Sequence, residues 1–120
     1  MRVRVFALLA AVFAAYLWID ARAQSGGRTV SGAHRFEKVA EGVYYATSAG
    51  TMNVGGHSPV FVNDDEVLMV ESSITPAAAR AMVNDIKAVT NKPIRYVVDS
   101  HYHYDHAHGN QVFISSATVI

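Results

Sequence analysis

Apolar and polar positions along this chain change rhythm several times, and each change predicts an element. Phe36 to Val39 is long enough for a short edge strand. Gly42-Val43-Tyr44-Tyr45-Ala46-Thr47 has the β-branched and aromatic content of a strand. Thr51 to Val54 and Pro59 to Val62 predict two further strands joined across the Gly55-Gly56 turn. Asn63-Asp64-Asp65-Glu66 is a second turn signal. Val67-Leu68-Met69-Val70 is a continuous apolar run, which predicts a strand covered on both faces.

The period then switches from strand to helix. Thr75 is positioned as an N-cap and Pro76 as the first helical residue, where the missing N–H costs nothing. Ala79, Met82, Val83, Ile86 and Val89 form one apolar stripe, with Arg80, Asn84, Asp85 and Lys87 on the other side. Asn91 and Pro93 end the helix, and Ile94-Arg95-Tyr96-Val97-Val98 follows as a buried strand. Strand, helix and strand within Val67 to Val98 make a βαβ unit, so the two strands should run parallel. Thr118-Val119-Ile120 reads as the next strand.

The N-terminus follows another logic. Arg2 and Arg4 precede fifteen uninterrupted apolar residues from Val5 to Ile19, and Ala21-Arg22-Ala23 follows. This is the three-part pattern of a cleavable secretory signal, cut after Ala23. The run is short of the roughly 20 residues a spanning helix needs, so no stable membrane anchor is expected. The expected organisation is a signal peptide over 1–23, a flexible Gly/Ser-rich mature N-terminus over 24–34, and one folded domain over 35–120. The mature chain would be secreted or periplasmic. Removing the leader leaves seven basic and nine acidic residues, and no basic stripe points to nucleic acid. The chain has no cysteine, so no disulfide staples it and any metal site must use nitrogen and oxygen ligands.

Chemistry concentrates in one place. His101-Tyr102-His103-Tyr104-Asp105-His106-Ala107-His108 holds four of the chain's six histidines. It begins just past the carboxyl end of a predicted parallel strand, where α/β sheets place their sites. In an extended segment His101 and His103 face the same way. A turn after them would set Asp105 and His106 beside that pair, so two neighbouring metal positions come within reach. His108 is as open to a role behind the ligands, or to simple exposure, as to ligation itself.

The sequence His101-x-His103-x-Asp105-His106 resembles the HxHxDH signature of the metallo-β-lactamase-fold hydrolase superfamily. Glu41-Gly42-Val43-Tyr44 opening a strand, the Gly-containing hairpin and the βαβ unit resemble that family too, over roughly Phe36 to Ile120. The resemblance implies an α/β fold, the N-terminal half of an αββα sandwich, with a mixed sheet. It implies His101 and His103 as ligands of a first Zn2+, Asp105 and His106 as ligands of a second. Asp105 would also be catalytic, orienting the water nucleophile or taking part in proton transfer.

Two departures stand out. The family usually carries Asp at the end of the strand before the helix, and this chain has Glu71. The family fold is about twice this length and completes its sites with downstream ligands, whereas Gly109 to Ile120 contains no His, Asp or Glu. His57, after the Gly55-Gly56 turn, is expected on the substrate side rather than as a ligand, and His34 as a bystander. The expected function is a zinc-dependent hydrolase acting on a small-molecule ester, amide, lactam, thioester or phosphoester, with a truncated fold whose exposed face could self-associate. The alternative is a non-catalytic metal-binding or interaction module.

Overall fold

The computed structural model describes residues 27–120. The expected leader and its cut after Ala23 lie outside the described residues. Seven strands form one sheet: β1 (Arg28–Ser31), β2 (His34–Ala40), β3 (Val43–Ser48), β4 (Ser58–Val62), β5 (Val67–Val70), β6 (Ile94–Val98) and β7 (Thr118–Val119). Their order in space is their order in sequence. The first five are antiparallel neighbours, while β5 with β6 and β6 with β7 are parallel. The parallel pairs need crossovers. Helix α1 (Pro76–Asp85), extended by a 3-10 turn at Ile86–Ala88, makes the first. The second carries a short helix, α2 (Tyr104–Ala107), and a 3-10 turn at Asn110–Val112. The expected βαβ unit and mixed α/β fold are therefore present.

Two register rows show how the sheet is used. Tyr44, Val60, Met69, Val97 and Val119 are successive cross-strand partners, and Val60, Met69 and Val97 are fully buried. They face α1 and its 3-10 extension, where Ala79, Met82 and Ile86 close over them with Phe36 and Phe113. Each such buried Val, Met or Phe contributes about 1.5–3 kcal/mol of transfer free energy. The next row, Val43, Phe61, Leu68, Tyr96 and Thr118, is displaced by one residue and therefore faces the other way. Phe61 remains 38% exposed there and Tyr96 36%. Covering on both faces, expected for Val67 to Val70, is thus replaced by alternation: Val67 and Met69 are buried, Leu68 and Val70 only half-buried.

Helix α1 starts as its sequence dictates. Thr75 is extended and its side chain accepts a hydrogen bond from the Ala78 N–H at 3.1 Å, with Pro76 next. The helix ends earlier than its stripe, because the chain tightens to 3-10 at Ile86 and Val89 falls beyond it. Thr51 to Val54 is a loop, not a strand. Asn53 Oδ1 accepts from the Gly55 N–H at 3.0 Å, closing a side-chain turn. Val54 is buried at the loop's root, and its carbonyl accepts from the Ile74 N–H.

The flexible lead-in expected over 24–34 is corrected for its described part. Arg28–Ser31 pairs antiparallel with β2 through a turn at Gly32, which sits at φ +56°. The reason is tertiary. Asp85 Oδ2, at the end of α1, accepts from the Ala33 N–H (2.8 Å), the His34 N–H (3.1 Å) and His34 Nδ1 (2.9 Å). His34 is therefore no loose bystander; it is 2% exposed and pins the first hairpin to the helix. At the β2–β3 turn the Lys38 ammonium donates to Glu41 Oε2 at 2.6 Å. That bond raises the lysine above its ordinary value and lowers the carboxylate, but both groups are solvated and the pair is screened.

Candidate metal centre

The donor segment leaves the carboxyl end of β6. There the Asp99 N–H donates to the Ile120 carbonyl at 2.8 Å, so the sheet fixes the point of departure. The chain stays irregular to His103, which is extended at φ −62°, ψ 142° and caps α2. Its carbonyl accepts from the His106 and Ala107 N–H groups at 3.0 and 3.1 Å. That single turn brings Asp105 and His106 back toward the first two imidazoles.

The side chains then fall into two pairs. His101 Nε2 and His103 Nδ1 share a hydrogen bond at 3.0 Å, and Ser100 Oγ lies 2.9 Å from His101 Nδ1. Asp105 Oδ2 is 3.2 Å from His106 Nε2. The pairs are neighbours, since the His101 and His106 ring centroids are 4.1 Å apart. Two ligands held at zinc bond lengths in a tetrahedron stand about 3.3 Å apart. Both observed separations are close to that edge, so the donor types and spacings fit the metal two by two. Among the described residues no three His, Asp or Glu side chains gather as a finished cage.

His106 is held from behind. Glu71, 6% exposed, places Oε2 3.0 Å from His106 Nδ1. The approach is within ion-pair range but bent, and neither atom completes a hydrogen bond. A carboxylate on the far nitrogen leaves Nε2, the atom beside Asp105, as the one available to a metal. Glu71 thus reaches the motif as the family's shorter Asp would be expected to, and it does so from a left-handed backbone at φ +70°. Ser73, at φ +82°, shares that conformation. Non-glycine residues held there cost on the order of 1–3 kcal/mol each, and such strain collects at functional sites.

The strained segment straps onto α2. Ser72 donates to the His106 carbonyl from both its N–H (2.7 Å) and its hydroxyl (3.1 Å). The Gly109 N–H donates to the Ser73 carbonyl at 3.1 Å, and His108 Nδ1 donates to the Ile74 carbonyl at 3.2 Å. His108 accordingly faces the strap, away from the pairs. Gly109 has no space for a side chain, because an added Cβ would overlap the Ser72 carbonyl oxygen and lie 2.8 Å from Ala79 Cβ.

A third segment approaches from above. A Cβ on Gly56 would lie 3.5 Å from His106 Cε1, so the 51–57 loop leans on the site. His57 is engaged with Tyr45, its Nδ1 2.8 Å from the phenol oxygen. His34 belongs to the hairpin anchor described above. Sequence reasoning did not single out Ser72, Ser73, Asp99 or Asn110; the position of Asp99, at the strand end two residues before His101, was the available signal.

Comparison with known proteins agrees with this geometry. A metallo-beta-lactamase from Erythrobacter litoralis, solved with beta mercaptoethanol in its active site, superposes with a TM-score of 0.65 at 24% identity, over 77% of this chain and 42% of its own. The metallo-beta-lactamase FIM-1 from Pseudomonas aeruginosa, in its mono-zinc form, gives a TM-score of 0.61 at 20% identity, over 74% and 42%. At such identities the likeness is one of fold, and the chain spans less than half the length of either. No curated protein sequence matches the chain. The family model for the metallo-beta-lactamase superfamily matches residues 52–119, from the overhanging loop through the donor segment to β7, and on that match the chain belongs to the metallo-beta-lactamase superfamily.

Proposed function

We propose that this chain supplies half of the metal centre of an exported, zinc-dependent hydrolase. The observation that carries the reading is the pair of donor pairs, 3.0 and 3.2 Å apart, side by side at the carboxyl end of the parallel strands. His101 and His103 hold one ion, and Asp105 and His106 the second. Zinc bound there would act as a Lewis acid toward the scissile bond and toward water. The protein's part is orientation. Glu71 and the Ser72 strap hold His106, and the 51–57 loop limits water on one side. The Asp105 carboxylate, 41% exposed, can orient a nucleophilic water or take its proton. The substrate class is a small carbonyl compound (ester, amide, lactam or thioester) or a phosphoester.

A catalytic zinc usually takes three protein ligands plus water, and each pair here supplies two. The remaining ligands come from a complementary half of the sandwich seated on the Val43, Phe61, Leu68, Tyr96 row. Support for this comes from the half-exposed aromatics on that face and from the 42% of each neighbour that the chain spans. Equilibrium dialysis of the full chain with zinc tests the ligands. His101→Ala, His103→Ala and His106→Ala should each lower the bound zinc, and His57→Ala should not. Equal loss in His57→Ala, or none in the other three, removes the assignment. The chain extended by a complementary half should hydrolyse p-nitrophenyl acetate or bis(p-nitrophenyl) phosphate where the 120-residue chain does not. Export is tested by the mass of the mature N-terminus, which should begin at Gln24.

A further inference from the structure

We propose that Asp99 and Asn110 form a positioning clamp that sets the aim of the His101–His103 pair. This rests on the metal-centre reading above. Asn110 Nδ2 donates to Asp99 Oδ2, joining residues eleven apart in sequence across the neck of the loop that carries every donor. Both ends are anchored independently. Asp99 is tied to the sheet through its N–H and the Ile120 carbonyl. Asn110 opens the 3-10 turn, its carbonyl accepting from the N–H of Phe113, which is 1% exposed in the core. The clamp therefore converts two rigid supports into one fixed loop closure.

The pair is shielded from solvent, since Asp99 Oδ1 and Asn110 Oδ1 are both buried. A hydrogen bond in a low local dielectric is stronger than the same bond at the surface. Its role is visible in the asymmetry of the loop. The His106 half is already held by the Ser72 bonds and by Glu71. The His101 half is exposed, and its side-chain hydrogen bonds run to Ser100 and within the His101–His103 pair. Beyond the His101 ring's contact with His106 and the His103 carbonyl's bonds to α2, the closure at Asp99 and Asn110 limits where those two rings point.

The test uses the full chain and zinc itself as probe, with affinity read by competition against a chromophoric chelator. Asp99→Ala and Asn110→Ala should each weaken zinc binding roughly tenfold to a hundredfold, the range for residues that orient ligands. The double variant should be no weaker than the worse single one, because both remove the same bond. Asp99→Asn, which keeps the accepting oxygen, should bind close to the wild-type value. Cobalt(II) absorption bands of Asp99→Ala should differ in shape from wild type. Amide exchange at Ser72 and Gly109 should stay slow, showing an intact strap. Wild-type affinity in Asp99→Ala, additive losses in the double variant, or failure of Asp99→Asn to rescue would each overturn the clamp. Equal loss of protection at Ser72 and Gly109 would reduce it to general stability. Failure of the wild-type chain to bind zinc would instead defeat the metal reading.

Discussion

Replacing Gly109 by Ala should separate the donor segment from the scaffold that aims it. A Cβ at this position would overlap the Ser72 carbonyl oxygen, and would lie 2.9 Å from Ser72 C and 2.8 Å from Ala79 Cβ. Two of these are backbone atoms, and Ala79 is fully buried in α1, so no flexible side chain can move aside. Overpacking of this kind costs about 1–3 kcal/mol. The shift it forces also breaks the bonds from the Gly109 N–H to the Ser73 carbonyl and from the Ser72 N–H to the His106 carbonyl. Each contributes about 1 kcal/mol net. The expected total is about 3–5 kcal/mol, or a fall in Tm of about 12–40 °C for a domain of this size. Urea denaturation followed by circular dichroism measures it. Gly27→Ala is the control, since a Cβ there meets nothing within 4 Å. Zinc affinity of the folded fraction should fall as well, because His106 moves with the strap. A loss under about 1 kcal/mol with unchanged zinc binding would refute the claim that close backbone approach at Gly109 sets the site.

Two further substitutions test other supports. Asp85→Ala removes the acceptor of three hydrogen bonds and leaves His34 buried without its carboxylate, which should cost about 3 kcal/mol and open residues 27–34 to protease before the rest of the chain. Cleavage at the wild-type rate would mean that the hairpin is held by its strand pairing alone. Thr75→Ala removes the cap of α1 and should cost about 1 kcal/mol in the same urea titration, while Thr75→Asp should restore most of it.

The parts of the fold that could be read from sequence are those encoded within a few neighbouring residues. Thr75-Pro76 and the stripe from Ala79 to Ile86 carry their own cap and periodicity, and the helix forms there. The apolar runs at Val67–Val70 and Ile94–Val98 become the parallel pair their separation demands. What escaped was encoded at a distance. Arg28–Ser31 has the Gly- and Ser-rich surroundings of a coil, and it becomes a strand because Asp85, 51 residues beyond His34, collects the hairpin's N–H groups. Thr51 to Val54 has strand-like residues, but the Asn53 side-chain turn offers its backbone a local alternative.

The candidate site divides along the same line. Alternation at His101 and His103, and one turn before Asp105 and His106, are local, so the two pairs could be anticipated from spacing alone. Their aim is not local. It depends on Glu71 and Ser73 adopting left-handed backbone, which neither residue type announces, and on carbonyls 34 residues away meeting Ser72 and His108. Glutamate in place of the family's aspartate illustrates the consequence. From sequence its longer side chain leaves its reach to the motif undecided. In the fold, the φ of +70° at Glu71 turns the backbone so that the carboxylate arrives 3.0 Å from His106 Nδ1. The type of each candidate donor is thus a property of eight consecutive residues, whereas donor orientation is a property of the strained strand exit packed against them.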